Sequence, residues 1–228
     1  MPTPAPQIYE LKITLAGIDP PIWRRIQVSS SLKLCCLHSA FQVVMGWTDS
    51  HLHQFEKDGK NWGVPEWDEF DELDLIDESK TYLGKVLGAE GDSVTYLYDF
   101  GDSWQHEVVL EKIQIVEAVL PHPVCLGGER RCPPEDVGGV HGYQEFLDVI
   151  LDPKHEQYEQ LVRWAGGHFH DEFHPKTVNT KLSRMRWPVD IGTKNGRFRP
   201  GQLSASQTRG IHFSIITANK DEISAPMA

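Results

Sequence analysis

Apolar and polar residues alternate along Ile8–Leu15. Tyr9, Leu11, Ile13 and Leu15 fall on one face, and Glu10, Lys12 and Thr14 fall on the other. A period of two with one apolar face predicts a half-buried strand. Ile22–Val28 resumes an extended pattern after Asp19-Pro20-Pro21, where the residue before a proline avoids helical backbone, so the two segments are predicted to pair as a hairpin. Leu34, Leu37, Ala40, Phe41, Val44 and Met45 recur at helical spacing and predict an amphipathic helix over 32–45, closed by Gly46. His51–Glu56 leads into Asp58-Gly59, a hairpin turn signal. Val94, Tyr96 and Tyr98, then Trp104, His106, Val108 and Leu110, alternate on either side of Asp99-Phe100-Gly101-Asp102 and predict two strands joined by a glycine-containing turn. Residues 121–142 read as loop. Three short helices follow, built on Tyr143 to Ile150, on Tyr158 to Ala165 before Gly166-Gly167, and on Val178 to Met185 after Pro175. The expected fold class is therefore α+β: an antiparallel or mixed β-sheet with hairpins in the first half, packed with helices mainly from the second half.

Composition narrows the picture. The 228 residues carry a net charge of −11, and 39% hydrophobic residues with 7 Trp suffice for a real core. No apolar run approaches the ~20 residues of a membrane span. The opening MPTPAPQIYE lacks the basic and apolar regions of a secretory signal. Four cysteines do not make a disulfide framework, which points to a soluble protein of the reducing cytoplasm. Residues 1–6, with three prolines, are expected to be a disordered leader, 7–187 a single domain, and 188–228 a basic extension. Residues 181–210 hold seven Lys/Arg and one Asp, so nucleic acid or an acidic partner is expected at that segment alone, since the rest of the chain is strongly acidic.

Three regions could carry chemistry. In His51-x-His53 both imidazoles would point the same way on a strand and could meet one metal; the plainer reading has one of them facing solvent or capping the Thr48-Asp49-Ser50 turn. Asp99-Phe100-Gly101-Asp102 contains the tripeptide of protein kinases, but the glycine-rich and catalytic loops of a kinase are missing, so that reading is rejected. What remains is an Asx-type turn or a carboxylate–imidazole cluster with His106. Cys125 and Cys132, flanked by His122 and His141, are candidate ligands for zinc or another divalent metal, although a gap of seven residues does not fit a standard finger. Glu135 and Asp136, in Pro133-Pro134-Glu135-Asp136-Val137-Gly138-Gly139, would repel phosphate and better suit a helix dipole or a cation site. Cys35-Cys36 reads as packing. His168, His170 and His174 read as solvated loop, as does the acidic stretch 66–78, which lacks the register of an EF-hand.

These pieces occur together and in order. Leu11–Leu15, Gly17-Ile-Asp-Pro-Pro-Ile-Trp-Arg-Arg25, Leu37-His38, Met45-Gly46-Trp47, His51-Leu-His53-x-Phe55, Tyr98-Asp-Phe-Gly-Asp-Ser-Trp-Gln-His106, Cys132–Gly139 and Gly142-Tyr143 resemble the plasmid (Ri) ORF-3-like family over residues 7–187. The resemblance implies an α+β domain without an assigned activity, and places most of Trp23, Trp47, Phe100, Trp104 and Tyr143 in the core. Some members carry a resolvase label, which does not transfer. A serine recombinase needs an arginine-rich site around its nucleophile, whereas Ser103 here sits beside Asp102. Many members have a third cysteine where this chain has Val137, which weakens a zinc site at Cys125 and Cys132.

Two functional expectations follow. The first is a binding or interaction module with a protein or small-molecule partner. The second is a metal-assisted hydrolase or other metal-dependent enzyme, with His51, His53, Asp99, Asp102 and His106 in one cleft and Glu135 and Asp136 on its rim.

Overall fold

The alternating positions found along the chain converge on one face of an eight-stranded sheet. The structure is a computed structural model that describes residues 5–67, 74–118, 120–167 and 169–187. Its strands are β1 (Gln7–Leu15), β2 (Trp23–Ser29), β3 (His53–Lys57), β4 (Lys60–Gly63), β5 (Leu75–Asp77), β6 (Ser93–Tyr98), β7 (Trp104–Ile115) and β8 (Val124–Glu129). They are ordered β5-β4-β3-β6-β7-β1-β2-β8, and every pair is antiparallel except β4–β5. The helices are α1 (Leu34–Met45), α2 (Leu83–Val86), α3 (Gly139–Ile150), α4 (Tyr158–Trp164) and α5 (Pro175–Arg184). The class is α+β, with a mixed sheet and strands mostly in the first half.

Leu11, Ile13 and Leu15 of β1, Tyr96 and Tyr98 of β6, and Trp104, Val108 and Leu110 of β7 are all buried. On β1 and β2 the intervening positions stay partly wet: Arg25 pairs with Glu111 at 2.6 Å, with Glu10 beside it. That asymmetry is what an antiparallel sheet with one solvated face requires. Phe41 of α1 packs edge-on against Tyr96 at 5.0 Å and lies 6.1 Å from Phe55, so α1 covers the β3–β6 part of the buried face. The helix ends where Gly46 adopts φ 93° and its N–H bonds to Gln42 O. Among the described residues, no helix is long and apolar enough to cross a membrane.

The fold departs from the sequence reading in two places. Residues 124–129, read as loop, form β8, because the outer edge of β2 offers a row of backbone groups and Ile26 pairs with Cys125. Most of the five aromatics expected in the core are there, namely Trp47, Trp104 and Tyr143, whereas Phe100 is 43% exposed at the tip of its turn and Trp23 is half-buried. Glu78, taken as part of a solvated acidic face, is buried. The beginning of the leader and the whole of the basic extension, residues 188–228, lie outside the described residues.

Candidate functional site

Three loops meet at one end of the sheet: the segment between α1 and β3, the β6–β7 turn, and the segment leading into α3. The β6–β7 turn is an Asx turn, in which Asp99 Oδ1 accepts from the N–H groups of Gly101 and Asp102 at 2.9 and 3.2 Å. This leaves Oδ2 of the same carboxylate facing His51 Nδ1 at 3.5 Å. The other ring nitrogen of His51 lies 3.2 Å from Asp136 Oδ1, too poorly aligned for a hydrogen bond, and is buried without another partner. His51, Asp99 and Asp136 can each bring a ligand atom to within 4.8 Å of the others. Asp49, Asp99 and Asp136 all sit at positive φ, between 58° and 59°, which Asp tolerates better than most residues.

Neighbouring groups lock this arrangement. Glu135 accepts from Tyr98 Oη at 2.6 Å, from the Thr48 N–H at 3.2 Å and from the Thr48 hydroxyl. Burial and this carboxylate together push the Tyr98 phenol above its usual range. Asp102 accepts from the Gly138 N–H at 3.1 Å, binding the β6–β7 turn to the start of α3. Next to it lies Gly139, at φ 69°, where a Cβ would stand 2.6 Å from the Asp102 carbonyl oxygen.

A second cluster is buried behind the first. The imidazoles of His38 and His53 stack with centroids 3.4 Å apart and planes within 3°. His38 Nε2 meets Asp49 Oδ1 at 2.7 Å and its Nδ1 meets the Tyr96 hydroxyl at 2.8 Å, while Gln42 donates to the same hydroxyl. Burial pulls His38 below the ordinary imidazole range, opposed by the bond to Asp49. His53 Nε2 is held by Glu78 Oε2 at 2.9 Å, leaving its Nδ1 buried without a hydrogen-bond partner.

The candidates read from the sequence are thus divided. His51, Asp99 and Asp136 come together, with Glu135 and Asp102 as bracing groups beside them. His53 belongs to the inner cluster because β3 begins at His53 and turns its ring inward. His106 faces neither cluster: it is fully buried against Trp47 and Tyr96, with Nδ1 3.2 Å from the Tyr96 carbonyl. Cys125, Cys132, His122 and His141 are not brought together as one ligand set. His141 is exposed on α3 beside Glu145, and His122 Nδ1 faces the Pro123 carbonyl. Arg24 Nη2 donates to Cys132 Sγ at 3.1 Å, and the Cys125 thiol bonds to the Gly127 carbonyl. Burial pushes the Cys132 thiol up to about 11 even with Arg24 and Arg131 opposing, so it is held as a thiol. His38, Asp49 and Glu78 were not singled out by sequence reasoning. His38 did leave a signal, a polar residue on the apolar face of α1 between Leu37 and Phe41. Beside the outer cluster, Trp47, Glu135, Arg131, Cys132, Phe173 and Lys181 line part of an open cleft of about 410 Å³.

Comparison with known proteins places these features in context. Residues 7–181 match the family described as plasmid pRiA4b ORF-3-like protein. The chain is 35% identical over 164 residues to the uncharacterized protein y4hQ of Sinorhizobium fredii, covering 72% of this chain and 84% of that protein. It is also similar to a crystal structure of a protein of unknown function, MM3350, from Methanosarcina mazei Go1: 41% identity and a TM-score of 0.68, covering 76% of this chain and 98% of the other. These relatives carry no assigned activity.

Proposed function

The chain belongs to the plasmid pRiA4b ORF-3-like protein family, and from the loop geometry we propose that it is a cytoplasmic binding module for a divalent cation held by His51, Asp99 and Asp136. The observation that carries this reading is the convergence of one imidazole and two carboxylates, from three loops far apart in the chain, within 4.8 Å. Two carboxylates and one imidazole favour an oxygen-preferring cation such as Mn²⁺ over a soft thiophilic one. Binding rather than hydrolysis is favoured because the adjacent carboxylate that could serve as a base is occupied: Glu135 already accepts three hydrogen bonds from Tyr98 and Thr48.

A cation here would tie the β6–β7 turn to the segment carrying Glu135 and Asp136. That same segment walls the neighbouring cleft, whose 410 Å³ falls within the roughly 300–1,000 Å³ usual for small-molecule pockets. A small-molecule partner seated in the cleft would therefore sense the cation through this shared wall. The four described cysteines are all unpaired, as suits a reducing compartment.

The test is Mn²⁺ titration, followed calorimetrically, of the full chain and of His51→Ala and Asp136→Asn. The Asp136 side chain is 73% exposed, so its replacement leaves the fold intact. Each variant is expected to bind Mn²⁺ more than about tenfold more weakly, since loss of a supporting partner alone costs roughly 10–100-fold at metal sites. Equal affinity in all three proteins, or no binding by the unaltered chain, overturns the reading.

A further inference from the structure

We propose that the inner cluster is a separate, zinc-type metal site, with His53 Nδ1, His38 Nε2 and Asp49 Oδ1 as ligands and Glu78 as the group that orients His53. This proposal goes beyond the outer cation site and does not depend on it. Its basis is the unpaired nitrogen. The His53 side chain is 2% exposed and Glu78 is 4% exposed, and the two meet at 2.9 Å through Nε2. With Glu78 ionised, the proton of a neutral His53 resides on Nε2, because a carboxylate accepts there. A buried lone pair is thereby left on Nδ1 with no donor to receive it, which is costly unless something occupies that position. A carboxylate holding one imidazole nitrogen while the other faces a cluster of donors is the arrangement that surrounds metal-bound histidines. His38 and Asp49 supply those donors within 4.8 Å.

The remaining parts fit the same occupant. Two imidazoles and one carboxylate suit zinc better than calcium or magnesium. Asp49 is the outer member, with its side chain 57% exposed, and provides the entry path. The Tyr96 hydroxyl can donate to His38 Nδ1 or accept from it, so His38 can take either tautomer. In one tautomer Nε2–H is directed at Asp49; in the other, Nε2 offers a lone pair. The stacked rings set a further condition. One ion cannot lie in two parallel planes 3.4 Å apart, so occupancy must tilt a ring out of the stack. The ring that moves is His38: the ion takes the place of its Nε2 contact with the exposed Asp49, and the ring pivots on its bond to Tyr96 while Glu78 keeps holding His53.

The experiment is zinc titration of the full chain, monitored by calorimetry and by the imidazole carbon-bound proton signals in NMR. The proteins compared are the unaltered chain, Asp49→Asn, Glu78→Gln and, as the outer-site control, His51→Ala. His53→Ala risks unfolding by emptying the core, whereas Asp49→Asn alters a largely exposed side chain. The unaltered chain and His51→Ala are expected to bind one equivalent at the inner site, with the signals of both stacked rings shifting together. Asp49→Asn should lose more than tenfold in affinity for that equivalent, and Glu78→Gln between 10- and 100-fold. Zinc binding by Asp49→Asn and Glu78→Gln as tight as by the unaltered chain, or none by the unaltered chain and His51→Ala, overturns the proposal. Because the outer site is read with Mn²⁺ and by the effect of His51→Ala, either site can fail while the other stands.

Discussion

His106 shows what burial alone does to one side chain. It is fully enclosed, and burial pulls it down to about 4 despite bonds to the backbone of Tyr96 and Trp104. Between the ordinary imidazole value near 6.5 and about 4, the unfolded chain binds more protons than the folded one. Stability is therefore intact above the upper value, falls as pH drops through this window, and levels off below it, with a total effect of about 3 kcal/mol from this group. Urea unfolding of His106→Gln at pH 7 and pH 4.5 should show an acid loss about 2 kcal/mol smaller than that of the unaltered chain; parallel pH curves would refute the assignment. Gly139 is the opposite case, a residue that matters because it has no side chain. With positive φ and only 2.6 Å between a would-be Cβ and the Asp102 carbonyl, Gly139→Ala should cost about 2 kcal/mol or more by thermal or urea unfolding. At this scale the sequence was partly legible. Asp99 was visible because a glycine-containing turn between alternating strands limits what an Asp there can do: one oxygen closes the Asx turn, while the imidazole facing the other is His51 and not the expected His106. Glu78 was not visible, since a buried acid inside a run of acids carries no mark until its partner, His53, is placed 25 residues away.

At the scale of elements, strands and helices with their own periodicity were readable, and those whose existence depends on a neighbour were not. β1, β6 and the first part of β7 alternate over most of their length, and α1 carries a full apolar stripe. β8 consists of Val-Cys-Leu-Gly-Gly-Glu, with two glycines and little alternation. It is a strand because β2 pairs with it on one side and α5 clasps it on the other. That clasp is specific: Asn179 Oδ1 accepts from the Cys125 N–H at 2.7 Å and Asn179 Nδ2 donates to the Cys125 carbonyl at 2.8 Å. One side chain thus completes the backbone bonding of an edge strand and blunts its capacity to recruit another chain. Asn179→Ala leaves both backbone groups without these partners and should destabilise the protein by about 1–3 kcal/mol. Hydrogen exchange offers a sharper check: the Cys125 amide should lose protection while that of Leu11, in the sheet interior, keeps it.

Across the whole molecule, strands that neighbour each other in the chain form the local pairs, while β3–β6, β7–β1 and β2–β8 join segments far apart in sequence. Hairpins could be read locally, but the join between the β1–β2 and β6–β7 hairpins could not, because nothing near β1 announces that its second neighbour lies a hundred residues downstream. Gln7 pairs with Ile115 and Leu15 with His106. This pairing has a consequence in time. At a synthesis rate of roughly 5–20 residues per second, β1 leaves the ribosome about a hundred residues ahead of β7, and one of its edges stays open for several seconds until β7 emerges. β1 is made well before it is completed, and until then it presents an adhesive edge that a chaperone can cover or a neighbouring nascent chain can capture. Refolding of the full chain from urea should be correspondingly slow, on the order of milliseconds to seconds, as for sheets closed by distant partners. Ribosome-bound chains halted before residue 104 should be markedly more prone to aggregate than chains halted after residue 187.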